Sequence, residues 1–203
     1  AAAASAAEEP VTLSVTSLSD DPQHPCVLLQ LPRLTILLDC ALDTTTALNF
    51  LPLDVIPQPK LAGSVWHGAT QKSAGGMPPK VLHSVRSLDG RVLLHEPIEY
   101  RLPKFGLVDV ATIDVVLISS WHTMLALPYL TERTDFSGVV YATEPTRRFG
   151  LLMMESMAAG YVAAPRRPSR HGWKVPDVLA VLPGRTLDAA AWRSLFTAEE
   201  ARA

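Results

Sequence analysis

The run IDVVLISSWHTML occupies residues 113–125 and organises the interpretation of the rest of the chain. Its first seven residues are mostly apolar and β-branched, which is typical of a strand buried in a sheet. The run then becomes polar at Ser119 and Ser120 and contains one imidazole, that of His122. In α/β domains the site lies at the carboxyl ends of the strands. The run therefore predicts a buried strand followed by the loop in which any site would lie.

Apolar runs on the amino-terminal side predict three further strands. These runs are Val11–Thr16, Cys26–Leu31 and Leu34–Cys40, and the two-residue turn Pro32-Arg33 joins the last two as a tight hairpin. The third run is almost wholly apolar, so we expect it inside a sheet that is covered on both faces. It contains Asp39, and a charge at the end of a buried strand needs partners.

On the carboxyl-terminal side, residues 124–130 predict a short helix and residues 138–143 another strand. Thr143 can cap a longer helix that follows. One face of that helix, which we expect to lie in the core, carries Phe149, Leu152, Met153, Ser156 and Met157.

A further helix is expected from Leu187 to Phe196. Thr197 and Glu200 then have the spacing of a capping box, which predicts that another helix begins at Thr197.

The domain organisation follows from composition and from the positions of proline. Residues 1–10 form an Ala-rich tail that we expect to be disordered. Residues 11–203 predict a partial α/β domain, interrupted at about 52–90 by an irregular, proline-rich insertion. Hydrophobic residues make up 48% of the chain and charged residues 19%, which favours a globular protein.

Charge and cysteine content exclude some classes of function. The net charge of −2 gives no general attraction to nucleic acid. No apolar run reaches the roughly 18 residues that a membrane span needs. Cys26 and Cys40 have no disulfide or zinc-knuckle spacing, so we expect two buried thiols in a cytosolic or nuclear protein.

The loop after residue 119 is the candidate site, and its residue types argue against a metal centre. A hydrolytic centre needs several His and Asp side chains converging on one or two cations. This loop offers only the imidazole of His122, which is flanked by Ser120, Trp121, Thr123 and Met124. Because one neutral nitrogen cannot hold zinc, we predict no metal and no other cofactor here.

Five segments of the chain resemble the metallo-β-lactamase/β-CASP family of nucleases. They are residues 37–43, 48–53, 113–119, 124–132 and 138–146. The resemblance implies an α/β fold, the N-terminal part of an αββα sandwich that is incomplete at its C-terminus. It also implies that the later metal ligands of the family would lie beyond residue 203.

Active members of the family carry a His-x-His-x-Asp-His motif directly after the strand. When this motif is aligned directly after Ser119, Ser120 replaces the first His and His122 keeps the second. Met124 and Leu125 then occupy the positions of the Asp and the last His. Asp39 matches the aspartate of the family's first motif, and we expect it to cap backbone N–H groups. The resemblance thus implies a degenerate metal motif and no catalytic residue.

The function implied by the resemblance is that of a catalytically inactive member. Such a protein would support a related active endonuclease in RNA processing, in the nucleus with some in the cytoplasm. Two alternatives remain open from sequence: a metal-dependent RNA hydrolase with unusual ligands, and a different inactive member of the same family.

Overall fold

The computed structural model describes residues 12–50, 85–88, 91–94, 96–163, 173–179, 182 and 189–203. The described strands are β1 (Ser14–Ser17), β2 (Val27–Leu31), β3 (Leu34–Leu38), β4 (Val85–Leu88), β5 (Arg91–Leu94), β6 (Glu99–Arg101), β7 (Val115–Ile118), β8 (Val139–Ala142) and β9 (Trp192–Ser194). The described α-helices are α1 (Leu127–Thr131), α2 (Glu144–Ala163) and α3 (Pro176–Leu179). The Ala-rich tail and most of the predicted insertion lie outside the described residues.

Five of these strands form one mixed sheet with the order β1-β2-β3-β7-β8. β1, β2 and β3 are antiparallel, and the pairing of Leu31 with Leu34 closes the predicted two-residue hairpin. β7 pairs in parallel with both β3 and β8. The carboxyl ends of β3 and β7 therefore lie at the same edge of the sheet, and the chain is an α/β protein. Two small antiparallel sheets, β4–β5 and β6–β9, stand outside this main sheet.

One face of the main sheet is covered. Leu28, Leu37, Val116 and Ile118 are buried on this face and belong to one hydrophobic cluster. The same cluster includes buried residues of the segment 124–130 together with Met154 of α2 and Phe196. Burial of this apolar area supplies the main stabilisation of the described domain.

The opposite face of the sheet is apolar but uncovered within the described residues. Strand pairing places Val15, Leu29, Ile36, Val115 and Val139 in one cross-strand row. The next row holds Val27, Leu38, Leu117 and Tyr141. Val139 and Tyr141 are 53% and 58% exposed. The expectation that residues 34–40 are covered on both faces is therefore wrong for the described structure, because only the Leu37 side of β3 has a packing partner.

The long helix α2 begins where the sequence predicts but buries a different face. Thr143 Oγ1 accepts a hydrogen bond from the backbone N–H of Thr146 at 3.4 Å. The predicted core residues Phe149 and Leu152 are 60% and 63% exposed. Met153 and Ser156 are exposed as well, and Met157 is only half-buried. The buried positions of α2 are Thr146, Gly150, Met154 and Ala158.

The physical reason is the size of the residues on the buried face. Gly150 and Ala158 let the helix approach its neighbours closely, which brings Met154, between them, into the core. Counting large apolar residues therefore selected the wrong side of the helix.

The expected helix over Leu187–Phe196 is also wrong. A short 3-10 turn covers Ala189–Ala191, and Trp192–Ser194 forms β9, which pairs with β6. Trp192 is fully buried in a second hydrophobic cluster, where its ring meets Trp173 edge-on at 5.2 Å and Phe50 at 6.2 Å. Strand pairing and aromatic burial outweigh the helix propensity of the alanines here.

The predicted capping box is present. The backbone N–H of Thr197 donates to Glu200 Oε2 at 2.6 Å, and that of Glu200 donates to Thr197 Oγ1 at 3.1 Å. The helix expected to begin at Thr197 is not formed: residues 198–202 make a turn, in which the Ala201 N–H donates to the Thr197 carbonyl.

Candidate functional site

The candidate site is built around Asp39, the residue directly after β3. Its backbone has a φ of 59°, in the left-handed region that aspartate tolerates better than most non-glycine residues. Its N–H donates to the Leu117 carbonyl at 2.9 Å, which extends the pairing of β3 with β7 by one step. This conformation turns the chain at the shared carboxyl edge of the two strands.

The Asp39 carboxylate binds the loop that follows β7. Oδ1 accepts hydrogen bonds from the Ser119 backbone N–H at 2.8 Å and from Thr123 Oγ1 at 2.6 Å. Oδ2 accepts a third from Ser119 Oγ at 3.0 Å. Both carboxylate oxygens are thus engaged with the protein, and the expected structural use of Asp39 as a cap is confirmed.

Backbone hydrogen bonds fix the same loop from the other side. The Cys40 N–H donates to the Thr123 carbonyl at 2.7 Å, and the Ala126 N–H donates to the Cys40 carbonyl at 3.0 Å. Residues Trp121–Met124 form a 3-10 turn with Ser120 as its N-cap. The segment that would carry a catalytic motif is therefore a connection from β7 to α1 that hydrogen bonds hold against the end of β3.

His122 lies on the outer side of this turn. Its ring is exposed and stacks on that of Trp121, with the centroids 3.4 Å apart and the planes inclined by 28°. Within the part of the chain that the structure describes, its nitrogens make no hydrogen bond.

Met124 and Leu125 point into the protein interior. They are only 6% and 5% exposed and belong to the main hydrophobic cluster. A Cβ added at Gly150 of α2 would come closer than 3.0 Å to three side-chain atoms of Met124. Met124 and Leu125 are therefore packing positions in the core, and Met124 lies against α2.

These residues do not fit a zinc ion. A zinc centre needs three or four nitrogen, sulfur or carboxylate ligands that converge on one point. Here one imidazole is stacked on the surface, the Asp39 oxygens are already engaged, and Met124 and Leu125 are apolar and buried. No step of a metal-dependent reaction can be derived from this arrangement.

A second group of potential ligands, Asp21, His24 and Asp43, lies close together elsewhere in the described residues. Its members already have protein partners. Arg101 Nη2 donates to Asp43 Oδ2 at 2.8 Å and the Thr45 hydroxyl donates to Asp43 Oδ1 at 2.6 Å, while His24 Nδ1 lies 3.0 Å from Asp21 Oδ2.

The Gln23 backbone N–H, and after it His24, lower the pKa of Asp21. The carboxylates of Asp21 and Asp43 thus accept hydrogen bonds from protein donors.

The two cysteines are free and buried, as the sequence predicts. Burial raises the pKa of the Cys40 thiol well above its ordinary value. A thiol in this state is a poor nucleophile and a poor metal ligand. Neither cysteine therefore adds a reactive group to the candidate site.

Sequence reasoning missed Thr123. Its hydroxyl donates to Asp39 and its carbonyl accepts from Cys40, so it joins the loop after β7 to the end of β3 through both its side chain and its backbone. A small hydroxyl residue inside a loop is an ordinary pattern, and its partner is 84 positions away in sequence. No sequence signal could have identified it.

The fold and the site define an α/β domain in which hydrogen bonds to the Asp39 carboxylate fix the loop after β7. Comparison with protein-family profiles finds none that matches. Individual proteins do match. Integrator complex subunit 9 of Mus musculus is 40% identical over 186 residues, which is 90% of this chain and 28% of that protein.

The Nematostella vectensis homolog of Integrator complex subunit 9 is 32% identical over 183 residues, or 88% of this chain. A shorter match, 44% identical over 48 residues, relates 23% of this chain to 6% of endoribonuclease ysh1 of Schizosaccharomyces pombe. Over nine tenths of its length the chain is thus similar to Integrator complex subunit 9. It spans about 28% of the length of these vertebrate relatives.

Proposed function

We propose that this chain is part of a non-catalytic subunit of an Integrator complex. In this role it is a pseudo-nuclease that pairs with the active endonuclease, subunit 11, and with subunit 4. The assembled module processes the 3′ ends of small nuclear RNA and cleaves nascent transcripts in the nucleus. The similarity to Integrator complex subunit 9 in vertebrates and in Nematostella vectensis supports this assignment.

The observation that carries the proposal is the packing of Met124 and Leu125. The motif frame of the metallo-β-lactamase/β-CASP family puts ligands at these positions, and here both side chains belong to the core. The uncovered apolar face of the main sheet supports the N-terminal part of an αββα sandwich, because a second sheet would pack on such a face at a distance of about 10 Å. An inactive copy that keeps the fold can keep its pairing geometry while the active copy supplies the metal chemistry.

The second candidate is a metal-dependent RNA hydrolase, and the comparison that bears on it is the short match to an endoribonuclease over 23% of this chain. That function would use His122 as a metal ligand, together with further ligands at positions other than 120, 124 and 125. The third candidate is the inactive 100 kDa subunit of the cleavage and polyadenylation specificity factor. The segments 48–52 and 141–145 argue against it, and the relatives named above favour Integrator.

Reconstituted cleavage tests the proposal. The full-length protein is assembled with subunits 11 and 4, and RNA cleavage is compared between the wild type and the S120A/H122A variant. We expect equal rates, because neither side chain takes part in the chemistry. Alanine substitution of a metal ligand in subunit 11, as the control, should abolish cleavage. A loss of tenfold or more with S120A/H122A would contradict the proposal.

Affinity purification of the tagged full-length protein from nuclei separates the two inactive-subunit candidates. We expect Integrator subunits 11 and 4 to copurify. Copurification of the polyadenylation machinery in their place would favour the 100 kDa subunit.

A further inference from the structure

Helix α2 carries an apolar stripe on the side that faces away from the core. Phe149, Leu152 and Val162 are 60%, 63% and 59% exposed, and Met153 is 36% exposed. Residues 149, 152, 156, 159 and 162 follow helical spacing and lie along one side. With a rise of about 1.5 Å per residue, this stripe is about 20 Å long.

The fold of the described domain does not use this stripe. The opposite side of α2 carries the packing, through Thr146, Gly150, Met154 and Ala158. An outward side with three large apolar residues at more than half exposure is unusual for a helix already anchored by its other face. The stripe therefore has the properties of a contact surface.

The middle of the stripe is shaped for another helix. Ser156, Ala159 and Gly160 are small and exposed, between the larger Leu152 and Val162. A Cβ added at Gly160 would meet nothing within 4 Å, so there is open space beside it. Small residues between larger ones let two helices approach to the 8–10 Å that is typical of packed pairs.

The amino-terminal end of the stripe is positively charged. Arg147 and Arg148 are both exposed and share a single carboxylate, that of Glu144, at 3.1 and 2.9 Å. Glu155, the next acid along the helix, pairs with Arg202. A matching surface should therefore present additional carboxylates to Arg147 and Arg148.

A second copy of this chain does not provide them. A parallel two-fold pair would bring the arginines of both copies together. An antiparallel pair would place them against residues 159–162, which carry no acid. A stripe about 20 Å long on a helix about 10 Å across covers roughly 200 Å², which is much less than the roughly 800 Å² per partner of a stable interface. Its occupant is therefore one element of a protein that is held at other places too.

We propose that the stripe Phe149-Leu152-Ser156-Ala159-Val162 binds an amphipathic helix of a partner subunit. That helix carries apolar residues at i, i+3 or i+4 and i+7, and acidic residues at the end that meets Arg147 and Arg148. The inference rests on the proposed function in that the partner is a subunit of the same complex. It is independent of the motif loop, since it places the contact on a different element.

Site-specific cross-linking tests this inference. A photo-reactive phenylalanine analogue replaces Leu152 in the full-length protein, assembled with subunits 11 and 4, and cross-linked peptides are identified by mass spectrometry. The matched control carries the same analogue at Leu107, which is 64% exposed on another part of the surface. We expect Leu152 to cross-link to a helical segment of one partner subunit and Leu107 not to reach that segment.

Binding measurements with variants add a second readout. F149E/L152E should weaken the affinity for that partner at least tenfold, and R147Q/R148Q should weaken it less and reduce its salt dependence. L107E, as the control, should bind like the wild type. Because all five substituted side chains are exposed, we expect the melting temperature of each variant to stay unchanged.

Results that contradict this inference differ from results that contradict the proposed function. Cross-links from Leu152 only to the same chain or to a second copy overturn the inference, as does unchanged affinity of F149E/L152E. In both cases the complex still assembles, so the proposed function stands. If the wild-type protein does not assemble with these subunits, the proposed function and this inference both fail.

Discussion

Asp39 and Ser119 are 80 positions apart in sequence, yet one carboxylate connects them. Its three hydrogen bonds hold the loop that follows β7. The left-handed backbone at Asp39 orients the carboxylate towards that loop. The sequence marks Asp39 as unusual because a charge interrupts an apolar strand. It does not disclose the partners, since Ser119 and Thr123 come from a different part of the chain.

Substitution of Asp39 tests how much this network stabilises the domain. We expect Asp39→Ala to lower the free energy of unfolding by about 2–3 kcal/mol, because hydrogen bonds to a charged acceptor are lost. Asp39→Asn should cost about half as much, since asparagine also tolerates the left-handed backbone and keeps one carbonyl acceptor. Urea unfolding followed by tryptophan fluorescence at submicromolar concentration measures both. Equal effects of the two variants would contradict the role given to the carboxylate.

Glu200 makes the stability of the carboxyl-terminal turn dependent on pH. A paired hydrogen bond with Arg133, at 2.7 and 2.9 Å, is the main cause that lowers its pKa from 4.5 to about 2. The stabilisation from the charged form is complete above about pH 4.5 and is lost as the pH falls towards 2.

We therefore expect Glu200→Gln to reduce the loss of stability between pH 4.5 and 2, measured by urea unfolding at several pH values. Glu199→Gln removes the same charge from an exposed neighbour and should leave the pH dependence nearly unchanged. An identical acid dependence in the wild type and in Glu200→Gln would contradict the assignment.

At the scale of elements, the strands and their hairpin could be predicted, and the orientation of α2 could not. Short apolar runs between turn residues indicate strands directly, because the strand pattern is local. Which side of a helix is buried depends on what it meets, and here Gly150 meets Met124. β9 is a comparable case, since its pairing with β6 depends on residues about 90 positions earlier.

Two glycines of α2 give matched tests of this packing. Gly150→Ala should lower the free energy of unfolding by about 1–3 kcal/mol, because the added methyl group overlaps the buried Met124 side chain. Gly160→Ala should raise it by as much as about 1 kcal/mol, since alanine favours helix and the added Cβ meets open space. Urea unfolding compares them directly. Stabilisation by both substitutions would show that α2 does not press on Met124.

At the scale of the whole molecule, the uncovered sheet face determines how the chain behaves by itself. Two cross-strand rows of apolar side chains face away from the core of the described residues. No helix in the described part of the chain is long and apolar enough to cross a membrane. The sequence predicted half of a sandwich through its family resemblance, and the exposed face is what half of a sandwich would leave.

We expect the 203-residue chain to be poorly soluble by itself and to increase the fluorescence of an apolar dye such as ANS. Replacing Leu117, Val139 and Tyr141 with Lys, Thr and Lys should reduce dye binding and aggregation, measured by light scattering. Leu107→Lys, on another surface, should have a smaller effect. A monodisperse wild-type chain that melts cooperatively without binding the dye would contradict the uncovered face.

The metal content of the purified full-length protein tests the central claim most directly. Zinc per chain is determined by mass spectrometry of the elements after extensive dialysis, with the active endonuclease subunit prepared in parallel as the positive control. Because His122 is stacked on the surface and Met124 and Leu125 are packed in the core, the result expected is far less than one zinc ion per chain. One or two zinc ions per chain that are lost only to a chelator would contradict the account and favour an active metal centre.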